Sequence, residues 1–90
     1  MLRNNRVNIT ALTKSEMEAV IAAANFSTDQ EAIFKELNKD TVYDVAIMMK
    51  LGIPERRYYD TKRTTVSKTE RILQEFGYYH ALKGSGKMPQ

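Results

Sequence analysis

The sequence predicts an all-α protein, a small helical bundle of about four helices that contains a helix-turn-helix. Three observations support this fold class. Helix-capping signals occur three times in succession, apolar residues recur at spacings of three and four, and a glycine–proline break separates two helical stretches. With 90 residues, the chain is long enough for one domain with a modest core.

The composition of the two chain ends differs from that of the middle. Residues 1–11 are rich in asparagine and arginine, with a short apolar alternation at Val7 and Ile9, and residues 83–90 are rich in glycine. We therefore expect a flexible N-terminal segment over 1–11, a helix-turn-helix domain over 12–82 and a flexible C-terminal tail over 83–90. The alternation near the N-terminus is compatible with one short strand, and we expect no other sheet.

The first helix begins with a capping signal. Thr13 and Glu16 have the spacing of a capping box, in which each side chain accepts a hydrogen bond from the backbone of the other residue. Apolar residues follow at helical spacing, so we predict a helix over 13–24. They are Met17, Val20, Ile21 and Ala24.

A second capping signal follows at once. Ser27 or Thr28 is suited to cap a helix, with Gln30 or Glu31 three residues further on. We predict this second helix over 28–38. Its buried face consists of Ile33, Phe34 and Leu37.

Asp40 or Thr41 is suited to cap a third helix, which we predict over 41–50. Apolar residues cover so much of its circumference that we expect it to lie in the middle of the domain. They are Val42, Tyr43, Val45, Ile47, Met48, Met49 and Leu51. We interpret the paired methionines as core filler, although a soft binding surface has the same composition.

The break between the third and fourth helices lies at residues 51–54. Gly52 can adopt the left-handed conformation that ends a helix, and Pro54 suits the first turn of the next one. No glycine or proline follows until Gly77, so we predict a long fourth helix over 54–76. Residues expected to be buried around the turn are Phe34, Leu37, Ile47, Leu51, Ile53 and Tyr58.

The fourth helix has two unusual features. Tyr58 and Tyr59 are adjacent, and we expect the first to pack inward and the second to face outward. The run from Thr61 to Thr69 is polar for a packed helix. We therefore expect this part of the helix to face solvent in part, or its far half to pack against a partner chain.

Positive charge is concentrated between Lys50 and Arg71. This window contains seven basic and three acidic residues, a net charge of +4, whereas the whole chain carries +3. A basic stretch confined to one helix is typical of nucleic-acid-binding proteins. A solvated helix face that binds nothing has the same composition, so charge alone does not separate the two.

Helix, short glycine-containing turn and basic helix together make the helix-turn-helix pattern. In such proteins the second helix lies in the major groove with its N-terminal residues against base edges. Residues expected to read bases are Glu55, Arg56, Arg57, Tyr59 and Asp60. The two acidic ones either accept from cytosine amino groups or hold the arginines in position. Residues expected to contact phosphates are Thr41, Lys62, Arg63 and Lys68.

This part of the chain resembles the helix-turn-helix of ArpU-type phage transcriptional regulators and, more broadly, region 4 of sigma factors. The resemblance rests on Ile47, Leu51, Gly52, Ile53, Pro54, Tyr58, Tyr59, Lys62 and Lys68. It implies a sequence-specific protein that binds double-stranded DNA and regulates transcription in a phage or prophage. Pro54 departs from the pattern, because these families usually have a capping serine there. Region 4 also contacts RNA polymerase, so the alternative is a helical module that binds RNA polymerase or another protein with the same scaffold.

Other classes of function have little support in the sequence. With no cysteine, a single histidine (His80) and no glycine-rich phosphate loop, we expect neither an enzyme nor a bound metal or cofactor. No apolar run approaches the length of a membrane span, and the first ten residues lack a signal-peptide core. We expect a cytoplasmic protein whose partner is duplex DNA, with RNA polymerase and a second copy of the chain as further candidates.

Overall fold

The computed structural model describes Val7, residues 9–39 and residues 43–82, and it confirms the all-α fold class. In chain order the helices are α1 (Lys14–Ala24), α2 (Thr28–Leu37), α3 (Asp44–Leu51) and α4 (Glu55–Phe76). Short 3₁₀ turns precede α1 and follow α4, at Ile9–Ala11 and Tyr79–Ala81. Helix α4 packs along both α1 and α2, and α3 packs on α2. Within the described residues, no helix is both long enough and apolar enough to cross a membrane.

Both predicted capping boxes are present. The Glu16 N–H donates to Thr13 Oγ1 at 3.1 Å and the Thr13 N–H donates to Glu16 Oε1 at 2.9 Å. In α2 the same reciprocal bonds join Ser27 to Gln30, at 3.2 and 2.9 Å. Each box satisfies two backbone donors that a helix start leaves without partners, which fixes where α1 and α2 begin.

The predicted cap of α3 is wrong. The helix begins at Asp44, and its N-cap residue is Tyr43, which makes no side-chain capping bond. Asp44 instead places its negative charge in the first turn, where the helix dipole favours it. Residues 40–42, which include the Asp40 and Thr41 of the prediction, lie outside the described residues.

The turn between α3 and α4 follows the prediction, except that α4 begins at Glu55 and not at Pro54. Gly52 ends α3 with φ +69°, and its N–H donates to the Met48 carbonyl at 2.8 Å. A side chain at this φ would be strained, which explains the glycine. Pro54 is the extended N-cap of α4, and its carbonyl accepts from the Tyr58 N–H at 2.8 Å.

The core consists of two clusters. The larger lies between α1, α2 and the far half of α4, around Val20, Phe34 and Leu73. The smaller lies beneath the turn and contains Ile33, Ile47, Ile53 and Tyr58. Of the residues predicted to be buried, Phe34, Ile47, Ile53 and Tyr58 are confirmed.

Leu37 and Leu51, also expected to be largely buried, are less completely buried than the other four, since both side chains are half-buried. Both pack against the edge of the smaller cluster. Leu51 is the last residue of α3, and it lines a shallow surface groove with Ala32 of α2. The end of a short helix leaves one side of such a residue uncovered.

The packed unit extends upstream of the predicted boundary at residue 12. Val7 and Ile9 are buried in the larger cluster. Val7 forms an antiparallel bridge with Leu82, and the Asn38 side-chain amide donates to the Ile9 carbonyl at 2.8 Å. The apolar alternation thus supplies core side chains, and at these positions the expectation of a flexible segment over 1–11 is corrected. Residues 1–6, residue 8 and the tail over 83–90 lie outside the described residues.

One side of the polar run of α4 is packed inside this domain. Thr65 and Thr69 are fully buried. Their hydroxyls donate to the carbonyls of Thr61 and Thr65, both at 2.8 Å, so neither buried oxygen lacks a partner. The run faces solvent in part, as expected, at Arg63, Thr64 and Ser67, while the buried Thr65 and Thr69 pack within the chain itself. A threonine that bonds within its own helix presents its methyl group to the neighbouring helices.

Candidate nucleic-acid interface

Helix α4 has an inner and an outer side. Its buried residues are Tyr58, Thr65, Thr69, Ile72 and Leu73. The opposite side is exposed along four turns, and we call it the outer stripe: Arg56, Asp60, Arg63, Ser67 and Arg71. These positions follow one another at spacings of three and four, the spacing of a single helix face. The outer stripe carries three arginines and one carboxylate and points away from the bundle.

Two of the stripe arginines are available to a ligand. Arg56 makes no ion pair or hydrogen bond with any described residue. Arg63 contacts the Asp60 carboxylate at 3.3 Å, but the side chains remain 73% and 64% exposed. Such an exposed pair contributes little to folding. Both guanidinium groups can therefore turn toward a ligand at little cost in stability.

Arg57 was predicted to read bases beside Arg56, but it lies on a different side of the helix. One residue advances about 100° around the helix axis, so the two side chains diverge. The Arg57 guanidinium forms an ion pair with the Asp29 carboxylate in the first turn of α2. Arg57 thus links α4 to α2, although much of its side chain remains exposed.

Lys62, predicted to contact phosphate, is engaged inside the protein. Its Nζ lies 2.9 Å from Asp44 Oδ1, and both side chains are about three-quarters buried. The same carboxylate oxygen accepts a hydrogen bond from the Tyr58 hydroxyl at 2.7 Å. Burial and the adjacent carboxylate raise the pKa of Tyr58, so the hydroxyl remains a donor at physiological pH. Asp44 therefore joins the start of α3 to two successive turns of α4.

Lys68, also predicted to contact phosphate, connects three helices. Its ammonium group donates to the Asn25 carbonyl at 3.1 Å and to Gln30 Oε1 at 2.9 Å. Asn25 ends α1, and Gln30 belongs to the capping box of α2. A cation at the carboxyl end of a helix is favoured by the helix dipole. The structure therefore assigns Lys68 a role in positioning α1 and α2 on α4.

The remaining predicted site residues lie around the start of α4. Tyr58 is buried and Tyr59 is partly exposed, which confirms the expected inward and outward orientation. Their rings meet edge to face, with centroids 5.1 Å apart. Glu55 is exposed beside them. Partial burial, with Asp44 and Glu55 nearby, raises the pKa of Tyr59, so this hydroxyl also stays protonated. The remaining candidate, Thr41, lies outside the described residues.

The structure exposes a second surface that sequence reasoning placed in the core. On α3, Val45 and Met49 lie one turn apart and are 61% and 78% exposed, and the adjoining Tyr43 is 75% exposed. We call these three residues the α3 face. Only Ile47 of this helix is fully buried, and Met48 is half-buried. The interpretation of Met49 as core filler is therefore wrong, because α3 packs on the rest of the domain along one side only.

Sequence reasoning missed two acidic residues that pair with side chains of α4, namely Asp29 and Asp44. An acid in the first turn of a helix is a recognisable feature of both positions. Their partners lie 28 and 14–18 residues away in sequence, and nothing local indicates those pairings. No group of three or more histidine or acidic residues within the described parts of the chain is arranged to hold a metal ion.

Comparison of the chain with protein-family models, with curated proteins and with solved structures found no match. The resemblance to ArpU-type regulators and sigma region 4 therefore stays a prediction from the residues that carry it.

Proposed function

We propose that the protein binds double-stranded DNA by placing the outer stripe of α4 in the major groove. The observation that carries this proposal is the exposure of Arg56, Arg63 and Arg71 along one helix face directly after a three-residue turn. The major groove is wide enough to admit one helix, and arginine is the side chain best suited to guanine edges and phosphates. Helix α3 and the Asp44 contacts brace the start of α4 in this arrangement.

The basic residues divide into two groups under this proposal. Arg56, Arg63 and Arg71 lie on the exposed stripe and contact DNA. Lys62 and Lys68 hold the helices together, and their charge is largely neutralised or engaged within the fold. Only a few positive charges of the protein therefore contact DNA phosphates, so the affinity for DNA falls moderately as the salt concentration rises.

Titration of fluorescent duplex DNA at several salt concentrations tests the proposal. The triple variant Arg56→Ala, Arg63→Ala, Arg71→Ala is expected to lose most of the affinity and most of the salt dependence. The matched control is Lys14→Ala, Lys35→Ala, Lys39→Ala, which removes the same charge from exposed positions on α1, on α2 and just after α2. The control is expected to retain the salt dependence. Equal weakening by the two triple variants would refute the stripe as the DNA-binding surface.

The resemblance around residues 47–62 supports a regulatory role in a phage or prophage. The protein would then act as a transcription regulator in the cytoplasm, at operator sequences selected by the start of α4. A reporter gene placed behind sequences selected from random duplex DNA tests this role. Expression must change when the wild-type protein is produced and must remain unchanged with the triple arginine variant.

A second candidate function is protein binding, and the α3 face is the observation that favours it. Exposed aromatic and methionine side chains are enriched where proteins meet. Purified RNA polymerase is the partner to test, with Val45→Ser, Met49→Ser as the variant. Loss of polymerase binding with unchanged DNA binding would support this function. Sedimentation of the same variant shows whether a second copy of the chain occupies the face instead.

A further inference from the structure

We infer that the outer stripe selects duplex sites containing two guanines about three base pairs apart, one contacted by Arg56 and the other by Arg63. Asp60 positions the Arg63 side chain and faces the base pairs between the two guanines. This inference rests on the proposed DNA-binding function and deepens it by naming the class of site. It moves Arg63 from the residues predicted to contact phosphates to those that read bases, and it removes Arg57 from the base-reading group.

The spacing of the two arginines matches the spacing of base pairs. Seven residues separate Arg56 from Arg63, which corresponds to about 10.5 Å along an α-helix. The same separation covers about three base-pair steps of 3.4 Å each. Seven residues also return to the same side of the helix within about 20°, so both side chains point into the groove together. Arg71, eight residues further on, lies beyond the first turns of α4, where helices of this kind meet the backbone.

Asp60 lies between the two arginines and pairs with one of them. Its carboxylate accepts from the Arg63 guanidinium at 3.3 Å, whereas no hydrogen bond or ion pair joins it to Arg56. A carboxylate on this face is unfavourable beside phosphates, because the two charges repel each other. Beside bases, such a carboxylate has two uses. It restrains an arginine that must meet the two acceptors of guanine in one plane, and it can accept a hydrogen bond from a cytosine amino group. This arrangement favours base reading over phosphate contact for Arg63.

The other cations near the start of α4 are unsuited to base reading. Arg57 forms an ion pair with Asp29 on the side toward α2, and Lys62 is about three-quarters buried against Asp44. Bringing either group to a base would break an interhelical contact. Arg56, which pairs with none of the described residues, and the exposed Arg63 carry no such cost.

Selection of binding sites from a library of random duplexes, followed by sequencing, tests the inference. The wild-type protein is expected to enrich sites with two guanines about three base pairs apart. Arg56→Ala should remove the preference at one of them and Arg63→Ala at the other, by about 5- to 150-fold each. Arg57→Ala is the matched control, and it should leave both preferences in place. All three side chains are exposed, so each variant should fold, and circular dichroism is the check.

Two conservative variants distinguish base reading from a contact with phosphate. Arg63→Lys keeps the charge and the salt dependence but should lose the guanine preference, because lysine lacks the planar fork. Asp60→Asn should raise the affinity for all sequences while weakening the preference at the Arg63 position, a combination that a purely structural role does not produce.

The failures of the two proposals are distinguishable. If Arg63→Ala weakens every sequence equally while the protein still binds DNA through the stripe, the assignment of Arg63 is overturned and the proposed function stands. If the selected sites show guanines at another spacing, the geometric inference is overturned in the same way. If the wild-type protein binds no duplex at low salt, both the inference and the proposed function fail.

Discussion

The carboxylate of Asp44 accepts a hydrogen bond from the buried Tyr58 hydroxyl at 2.7 Å, which joins the first turn of α3 to α4. Lys62 approaches the same oxygen at 2.9 Å. Tyr58→Phe removes one bond to a charged acceptor and should lower the free energy of unfolding by about 1–2 kcal/mol. Asp44→Ala should cost more, about 2–3 kcal/mol, because it leaves both donors without their acceptor.

Urea unfolding followed by circular dichroism measures both changes. Asp60→Ala is the control, since this carboxylate is exposed and, among the described residues, pairs with the exposed Arg63 alone. We expect it to change stability by no more than about 0.5 kcal/mol. If Asp44→Ala were as mild as Asp60→Ala, the bond between α3 and α4 would not contribute to the brace.

Lys68→Met tests whether this side chain holds helices together. The substitution keeps an unbranched apolar stem but removes the bonds to the Asn25 carbonyl and the Gln30 amide. Because Lys68 is half-buried, we expect a loss of stability of about 1 kcal/mol. The salt dependence of duplex binding should stay as in the wild-type protein.

Arg63→Met should behave in the opposite way. This side chain is exposed, so stability should change little, whereas removal of a charge that contacts DNA weakens binding. Chemical unfolding and duplex titration of both variants provide the comparison. A decrease in salt slope of about one unit for Lys68→Met would show that Lys68 contacts phosphate after all.

The burial of Thr65 limits the volume of side chain that this position can hold. Thr65→Val retains the shape of the side chain and leaves no donor unpaired, so the change in stability should be within about 1 kcal/mol. Thr65→Leu overfills the contact with the neighbouring helices and should cost about 1–3 kcal/mol. Thr64→Leu is the matched control, because Thr64 makes the same type of hydroxyl bond but is exposed. Equal melting temperatures for Thr64→Leu and Thr65→Leu would contradict the packing of α4.

Ile47 and Leu51 lie one turn apart on α3, and they should differ in their response to truncation. Ile47 is fully buried, so Ile47→Ala should cost about 2–5 kcal/mol. Leu51 is half-buried beside a surface groove, so Leu51→Ala should cost less, about 1–2 kcal/mol. Denaturant midpoints measured under one condition suffice for the comparison. A larger loss for Leu51→Ala would indicate that α3 packs differently.

Acid should weaken the fold through Glu36. The hydrogen bond from Lys50, assisted by Lys39, holds the pKa of this carboxyl below its ordinary value of 4.5. The contribution to stability is therefore complete above the ordinary pKa and is lost as the pH falls through the lower, folded-state pKa. Glu36→Gln should lower the melting temperature near pH 7 and flatten the decline that the wild-type protein shows as the pH falls below 4.5. Glu18→Gln, at an exposed position without an ion pair to any described residue, should retain the wild-type profile.

Local signals in the sequence determined the helices. The Thr13–Glu16 and Ser27–Gln30 boxes and the turn at Gly52 involve residues no more than four positions apart. Their geometry is therefore nearly independent of the rest of the fold. The recurrence of apolar residues at spacings of three and four also identified the buried faces of the helices, because helical spacing determines which side chains share a face.

Only the tertiary structure decided which polar side chains face solvent and which bind the protein itself. Lys62, Lys68 and Arg63 all follow the turn and look equivalent in the sequence. Two of them find acceptors on α1, α2 or α3, while the third points outward. The α3 face is exposed for the same reason, since α4 packs against α1 and α2 and leaves one side of α3 uncovered. Such outcomes depend on how helices distant in sequence cross one another, and composition and periodicity do not record that crossing.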